Sequence, residues 1–411
     1  MTKLRSLLAL AALAAPGLLQ AQAPPPPRVI GFTFAANLMA QDPFTCAIRV
    51  CPAIPMGPPV APLAGGTAHD AQDGATWITN GILLAKVDFR QCVVRCAPQP
   101  IPLIAGANYA TGLAYDEQTR TLYIAYDNNV IGWLGAPAAA VCQLQPLGFC
   151  QAPVAAGHML SGLATDDLGG FIFYASSPVG IAALPFGVVY QAPLAAPCAP
   201  FCRWSIPGCA GALLLQITGL GWEPCRRILY ATDGPSVVGV TLQPNCQVTQ
   251  VTCCPTPVAA PYAGLCVLPS DGVAMGPNCT QGACPVCPTM VHGTFGDPVV
   301  GNPTFALTLQ NAPNNSVAIL VLSFGAHCAG PGLPLFFCSP LLTPLPVSTF
   351  GGFPTGPGIG CTGGVRFPIP IPANLGLCGI PMSSQWVGIC PGAPLVDNFT
   401  SNCLSWTIGG S

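Results

Sequence analysis

The phrase TGLAYDEQTRTLYIAYDNNVIGWLG at residues 111–135 returns along the chain, and its period constrains the fold more than any other feature. It holds three short β-prone runs, at 112–115, 122–126 and 130–134, separated by the polar turns 116–119 and 127–129. Runs of this length, bounded by Asp, Asn and Gly clusters, read as an antiparallel meander. Copies begin at Gly162 (GLATDDLGGFIFYASS) and Gly219 (GLGWEPCRRILYATDG), and looser ones at Gly66 (GTAHDAQDGATWITNG) and Gly264 (GLCVLPSDGVAMGP). The lead glycines at 66, 112, 162, 219 and 264 are 46, 50, 57 and 45 residues apart. A period of about 40–50 residues with four strands per unit is that of a β-propeller.

Each unit reads as a first strand of the GLxxD type and a second of the LYxxD type. The third strands fall at 82–87, 130–134, 179–184 and 237–242, and a fourth carries cysteines. The last unit supplies two strands and then passes into Pro- and Cys-rich sequence. The run VIGFTF at 29–34 reads as its missing third strand and 46–51 as its fourth. The expected fold is therefore all-β: a five-bladed β-propeller over 29–277, closed by N-terminal strands, followed by a β-sandwich. Such closure removes the exposed edges that open sheets carry.

Residues 1–23 read as a signal peptide. Lys3 and Arg5 form the positive end, 6–19 is apolar, and Ala21-Gln22-Ala23 is a small-x-small cleavage site. A Pro-rich spacer follows at 24–28. No later stretch has 18 uninterrupted apolar residues, so no membrane span is expected in the mature chain. With 23 cysteines in an exported chain, the destination is oxidising, secreted or at the cell surface, and the cysteines form a disulfide framework.

Only 6% of residues are charged, against about 25% in an average soluble protein. The formal charge is −2, or −4 once Lys3 and Arg5 leave with the leader. This gives no electrostatic case for nucleic acid or anionic lipid as a partner. A weakly charged surface repels its own copies poorly, so self-association is expected. There are 47 glycines and 49 prolines, but 51% hydrophobic residues and recurrent β-runs argue against disorder.

Each fourth strand carries two cysteines: Cys46 and Cys51, Cys92 and Cys96, Cys142 and Cys150, Cys198 and Cys202, Cys246 and Cys253. In an extended strand Cys92 and Cys96 would lie about 13 Å apart, too far to bond. Either each pair closes a local loop or each cysteine bonds elsewhere. The recurrence of the pair once per unit favours local loops. Cys209 with Cys225 and Cys254 with Cys266 are further candidate pairs. Seventeen cysteines precede residue 290, which leaves at least one of them without a partner in this region.

Past a Cys-rich junction at 278–291, residues 292–411 contain three charged residues, Asp297, Arg366 and Asp397. β-runs at 304–310, 317–324, 333–337, 365–371, 385–389 and 403–408 suggest a sandwich. The alternating prolines of 366–372 belong at a sheet edge. Cys328, Cys338, Cys361, Cys378, Cys390 and Cys403 are expected to pair in sequence order.

Chemical candidates are few. Asp70, Asp116, Asp166 and Glu223 all stand four residues after a lead glycine, where Asp caps turns. Glu117 and Asp167 read as solvated turn residues. Tyr115 and Trp222, with Asp116 and Asp166, are the candidate ligand-binding set, although aromatics in first strands are commonly core. Cys279, Cys284, Cys287 and His292 have a spacing that could hold zinc, but thiols pair in an oxidising compartment. His69 next to Asp70 is no base–acid pair, since neighbours on a strand point to opposite faces. The chain holds neither an HExxH, a G-x-S-x-G nor a phosphate-binding loop. No catalytic residue and no cofactor is assigned.

The sequences Gly112-Leu113-Ala114-Tyr115-Asp116 with Leu122-Tyr123, and Gly219-Leu220-Gly221-Trp222-Glu223 with Leu229-Tyr230, resemble NHL/YVTN-type repeats of secreted bacterial β-propellers over about 29–277. That resemblance implies the propeller, and a role as ligand binder, partner platform or, in some cases, enzyme. The cysteine pairs and the low charge depart from it. The opening at 293–309, the turn at 311–316, Ser384-Gln385-Trp386 and the ending at 399–409 resemble a C-terminal module of exported bacterial proteins. This implies sorting, attachment or assembly. The expected function is an exported, disulfide-rich structural or binding protein that associates with itself or with envelope and matrix components. The alternatives are a glycan- or small-ligand-binding propeller and a hydrolase or lactonase with a metal in its channel.

Overall fold

The computed structural model describes residues 28–409 except 34, 52–53, 105, 136–141, 180–183, 244–245, 257–260, 270–271, 325–327, 329–337, 344–347 and 393–396. The leader, most of the Pro-rich spacer and the expected strand at 333–337 lie outside the described residues. Regular structure among the described residues is β, apart from a 3-10 turn at Leu375–Leu377.

The first two-thirds of the chain form five four-stranded antiparallel sheets. Four are meanders in chain order. Gly66–Asp70, Ala75–Thr79, Leu83–Asp88 and Val93–Pro100 make the first, and the units from 110, 158 and 219 repeat it. The fifth joins both ends of the region: Cys266–Leu268 pairs with Arg28–Phe32, which pairs with Leu38–Gln41 and then Ile48–Cys51. The N-terminal part thus gives three strands, not two, and the run from Val29 is the second strand rather than the third. The expected second strand, Val273–Met275, pairs instead with Cys403–Thr407 of the C-terminal region. Pro269, which has no N–H to donate, ends the ladder at Leu268 and lets the chain leave the sheet. The expected boundary at 277 moves accordingly, because Val273–Met275 and Cys279–Thr280 both belong to the C-terminal sheet.

The lead glycines explain how the sheets meet. A Cβ placed on Gly66 would fall 2.7 Å from the backbone of Leu113, and one on Gly112 2.9 Å from Gly162. On Gly162 it would fall 3.1 Å from Gly219, on Gly219 2.6 Å from Leu265, and on Gly264 2.5 Å from Gly66. The contacts return to their start, so the first strands form a closed, propeller-like ring whose backbones approach too closely for any side chain.

In the third unit the third strand is Val188–Pro193, not the expected 179–184. Phe171–Pro178 extends through Ser176 and Ser177 to Pro178; of the expected run at 179–184, residues 180–183 lie outside the described residues, and the Leu184 carbonyl contacts His158 Nε2 (3.0 Å). Outside the third unit, the fourth strand is the least buried of its sheet; Gln145–Gln151 buries no residue fully.

The cysteines do not close local loops. Cys51 bonds Cys92, Cys96 bonds Cys142, Cys150 bonds Cys198, Cys202 bonds Cys246, and Cys254 bonds Cys46. Each bond joins one sheet's outer strand to the turn or connection just before the next sheet's outer strand, so Cys46, Cys92, Cys142, Cys198 and Cys246 precede the fourth strands rather than lying on them as expected. Cys46, Cys92 and Cys246 stand at positive φ in the turns before these strands, and each turn brings its cysteine within bonding range of a strand cysteine of the neighbouring sheet. Cys209 bonds Cys253, Cys225 bonds Cys378, and Cys266 is a buried free thiol, so neither the Cys209–Cys225 nor the Cys254–Cys266 pair forms.

The C-terminal region has a seven-stranded sheet and a three-stranded sheet. Phe305, Leu307 and Leu309 of one pack with Leu320, Trp386 and Trp406 of the other in a single core. Gly363–Pro368, which leads into the alternating prolines, lies at the end of the smaller sheet's strand order. Pairing in sequence order does not occur here. The bonds are Cys279–Cys338, Cys284–Cys390, Cys287–Cys361 and Cys328–Cys403, since strands far apart in sequence are neighbours in these sheets.

Candidate functional site

Three surfaces could carry function: the ring's axis, the face of its first turns, and the opposite face. At the axis, the same offsets of every first strand meet, including Ala68, Ala114, Ala164, Gly221 and Cys266. They enclose a cavity of about 40 Å³, room for little more than a water molecule, whereas ligand pockets measure about 300–1,000 Å³. Burial pushes the Cys266 thiol up to about 12, so the sulfur stays protonated and inert.

The first turns lie beneath the C-terminal region. The repeated acids cap these turns as their spacing predicts: Asp70 accepts from the Gln72 N–H (3.1 Å), Asp116 from Gln118 (3.0 Å), Asp166 from Gly169 (3.0 Å) and Glu223 from Arg226 (2.9 Å). The next acids along are not solvated. Glu117 and Asp167 are buried and link units: the Ala71 N–H donates to Glu117, and the Glu117 N–H donates to Asp167 (2.9 Å). Burial, reinforced by Asp70 and Asp167, holds the Glu117 carboxyl well above the usual range. Burial, reinforced by Asp116, pushes Asp167 up to about 8.

Onto this face comes Asp297, fully buried. It pairs with His69 and with Arg90 (2.5 Å), while its N–H donates to the Ala71 carbonyl (2.8 Å). Burial alone would raise its carboxyl; Arg90 and His69 outweigh that and hold it below the ordinary value. Asn302 donates to the Ala71 carbonyl (3.0 Å), Thr304 to the Gln72 carbonyl (3.0 Å), and Cys225–Cys378 fastens the far side. Lys86, flanked by Asp70 (2.6 Å) and Asp73 (2.5 Å), completes the buried charges here. His69 thus finds its carboxylate 228 residues away rather than next door.

The opposite face carries an open groove of about 880 Å³ between the third and fourth sheets. Pro178, Pro185, Leu213, Leu215 and the Cys209 loop line it, with Asp233, Ser236 and Gln216 supplying polarity. Leu215 is 68% exposed. Nothing in the repeat signalled this groove, because the lining segment 206–217 is an insertion between units; the longest spacing, 57 residues, is its trace.

Of the expected ligand-binding residues, Tyr115 and Trp222 both border the small axial cavity, whereas Asp116 and Asp166 do not. Tyr115 and Trp222 are buried in separate clusters, Trp222 packing on Phe173 at 4.9 Å, and Asp116 and Asp166 are engaged in their turns. The Cys279, Cys284, Cys287 and His292 cluster is likewise dispersed. The three sulfurs are in disulfides, and His292, drawn by burial down to about 4, contacts Ser384 (3.2 Å) and the Asn402 carbonyl (3.3 Å).

All-β, built of four-stranded sheets round a closed ring, the first two-thirds of the chain has the architecture of the propeller class. No family model matches the chain, and no curated protein matches it in sequence. Among solved structures it is similar to a chain of a nidogen–laminin complex, at 12% identity and a TM-score of 0.39, covering 59% of this chain and 98% of that one. It is also similar to the β-propeller domain of a Myceliophteria thermophila protein (8%, TM-score 0.31, 57% and 73%). A Bacteroides uniformis protein assigned as a 6-phosphogluconolactonase is similar as well (8%, TM-score 0.35, 57% and 72%).

Proposed function

We propose that this chain is an exported structural and binding protein of the cell surface or extracellular matrix. In this reading the five sheets are the blades of a five-bladed propeller, and the C-terminal sheets are a β-sandwich module fastened to its first-turn face. The observation that carries the reading is the disulfide network: eleven bonds, of which five tie sheet to sheet around the ring and one ties the two regions together. Disulfides persist in oxidising compartments and are rare in reducing ones. Among the described residues no helix is long and apolar enough to cross a membrane. Low surface charge favours association with itself and with other poorly charged matrix components, through apolar contact. Sizing and electron microscopy of purified, oxidised protein test this: assemblies that grow with concentration are expected, and a strictly monomeric, non-adherent species at high concentration overturns it.

A second reading is a glycan- or small-ligand-binding propeller. The groove favours it, since its volume suits a ligand whereas the axial cavity does not. Binding would be lost in Leu213→Asp and Leu215→Asp and unaffected at Tyr115. A blank glycan array and a blank small-molecule screen remove this reading.

A further inference from the structure

The five sheet-to-sheet disulfides and the short peptide segments between their cysteines form one covalent circle. The segments are 46–51, 92–96, 142–150, 198–202 and 246–254, and the bonds are Cys51–Cys92, Cys96–Cys142, Cys150–Cys198, Cys202–Cys246 and Cys254–Cys46. We propose that this circle is a load-bearing girdle, so that tension applied between the two ends of the chain bypasses four of the five sheets. The proposal rests on the structural reading above and gives it a mechanical form.

The argument is topological. Force entering at the N-terminal side of Arg28 reaches Cys46 after one hairpin. There it passes directly through sulfur to Cys254, 208 residues later in the chain. The intervening chain, which includes four complete sheets, carries no tension and cannot be drawn out. Beyond Cys254, the Cys279–Cys338 and Cys328–Cys403 bonds shorten the path through the C-terminal region in the same way. Propeller sheets meet through side-chain packing of neighbouring faces, a contact that a pulled chain can separate strand by strand. Covalent closure removes that route.

The circle also has redundancy. If the Cys46–Cys254 bond is absent, load runs the other way round the rim, through the four remaining bonds and the five short segments. Opening that one bond therefore releases about 100 Å of chain, roughly 30 residues at full extension. Reducing every bond releases about 700 Å from the 208-residue separation.

Single-molecule force spectroscopy of the full chain, with handles at both ends, tests this. The oxidised protein is expected to extend with no step of several hundred Å. Adding reductant to the same molecules is expected to add about 1,100 Å, about 700 Å of it from the ring and the rest from the C-terminal region as Cys279–Cys338 and Cys328–Cys403 open. The oxidised double variant Cys46→Ser/Cys254→Ser is expected to gain about 100 Å. A step of several hundred Å in the oxidised wild type or in the variant overturns the girdle, and so does an unchanged extension in reductant. The wild-type arms stand even if the variant does not fold. A monomeric protein in the sizing experiment would sink self-association without altering these extensions, so the two failures are distinguishable.

Discussion

Gly264 and Gly170 show how two glycines of one chain can be needed for different reasons. Gly264 sits where the ring closes, and a Cβ there would lie 2.5 Å from the Gly66 backbone. Gly264→Ala must push two sheets apart and is expected to cost about 3 kcal/mol or more, of the order of a strongly overpacked core. At Gly170 a Cβ would meet nothing within 4 Å, but φ is +72°. Gly170→Ala should therefore cost only the left-handed backbone penalty, about 1 kcal/mol. Thermal melts of the two variants rank them, and equal losses would contradict the ring contact. Asp167 provides a pH test at the same scale. Its folded value is raised to about 8 from an ordinary 3.8, so the folded state holds its proton longer than the unfolded chain. Its stabilising contribution is complete below about pH 4 and disappears as pH rises to about 8. Denaturant midpoints across this range should fall with pH, and fall less in Asp167→Asn; identical slopes would refute the buried, proton-holding carboxyl.

At the level of elements, burial explains which strands were legible. First and second strands are almost entirely buried, and Ala110–Asp116 and Thr121–Tyr126 wholly so, which lets their Gly, Leu and Tyr signals survive in sequence. Outer strands such as Gln145–Gln151 bury little, and a strand without a buried face leaves only a faint alternation. Disulfides anchor these strands where apolar contact is scarce. The docking of the C-terminal region depends on a buried ion cluster whose partners come from distant segments, His69 and Arg90 on one side and Asp297 on the other. Removing one partner leaves uncompensated buried charge, so Asp297→Ala should cost about 3–5 kcal/mol. Because Cys225–Cys378 still ties the regions, the expected readout is faster proteolysis at the interface rather than separation; unchanged cleavage and melting would show the cluster to be dispensable.

For the whole molecule, the disulfide map is the sharpest check. Mass spectrometry of non-reduced peptides should find the five sheet-to-sheet bonds and Cys225–Cys378. Cys266 should resist alkylation until the protein unfolds, as a buried thiol raised to about 12 would. Bonds within the pairs Cys92/Cys96 or Cys198/Cys202 would disprove the circle.

The repeat, the return of N-terminal sequence to the last unit and the all-β class follow from local order: glycine spacing, turn acids and alternating runs are properties of neighbours along the chain. Which cysteine bonds which, where Glu117 and Asp167 lie, and what His69 faces are properties of neighbours in space. The sequence showed a pair of cysteines at every outer strand, one in the turn before it and one on it, but not whether they close on each other or reach across. That was decided by the ring itself, because bending the sheets into a circle brings the cysteine on one rim strand beside the cysteine in the turn before the next. The groove and the docked C-terminal region likewise exist only once distant segments are packed together, and no short-range pattern encodes them.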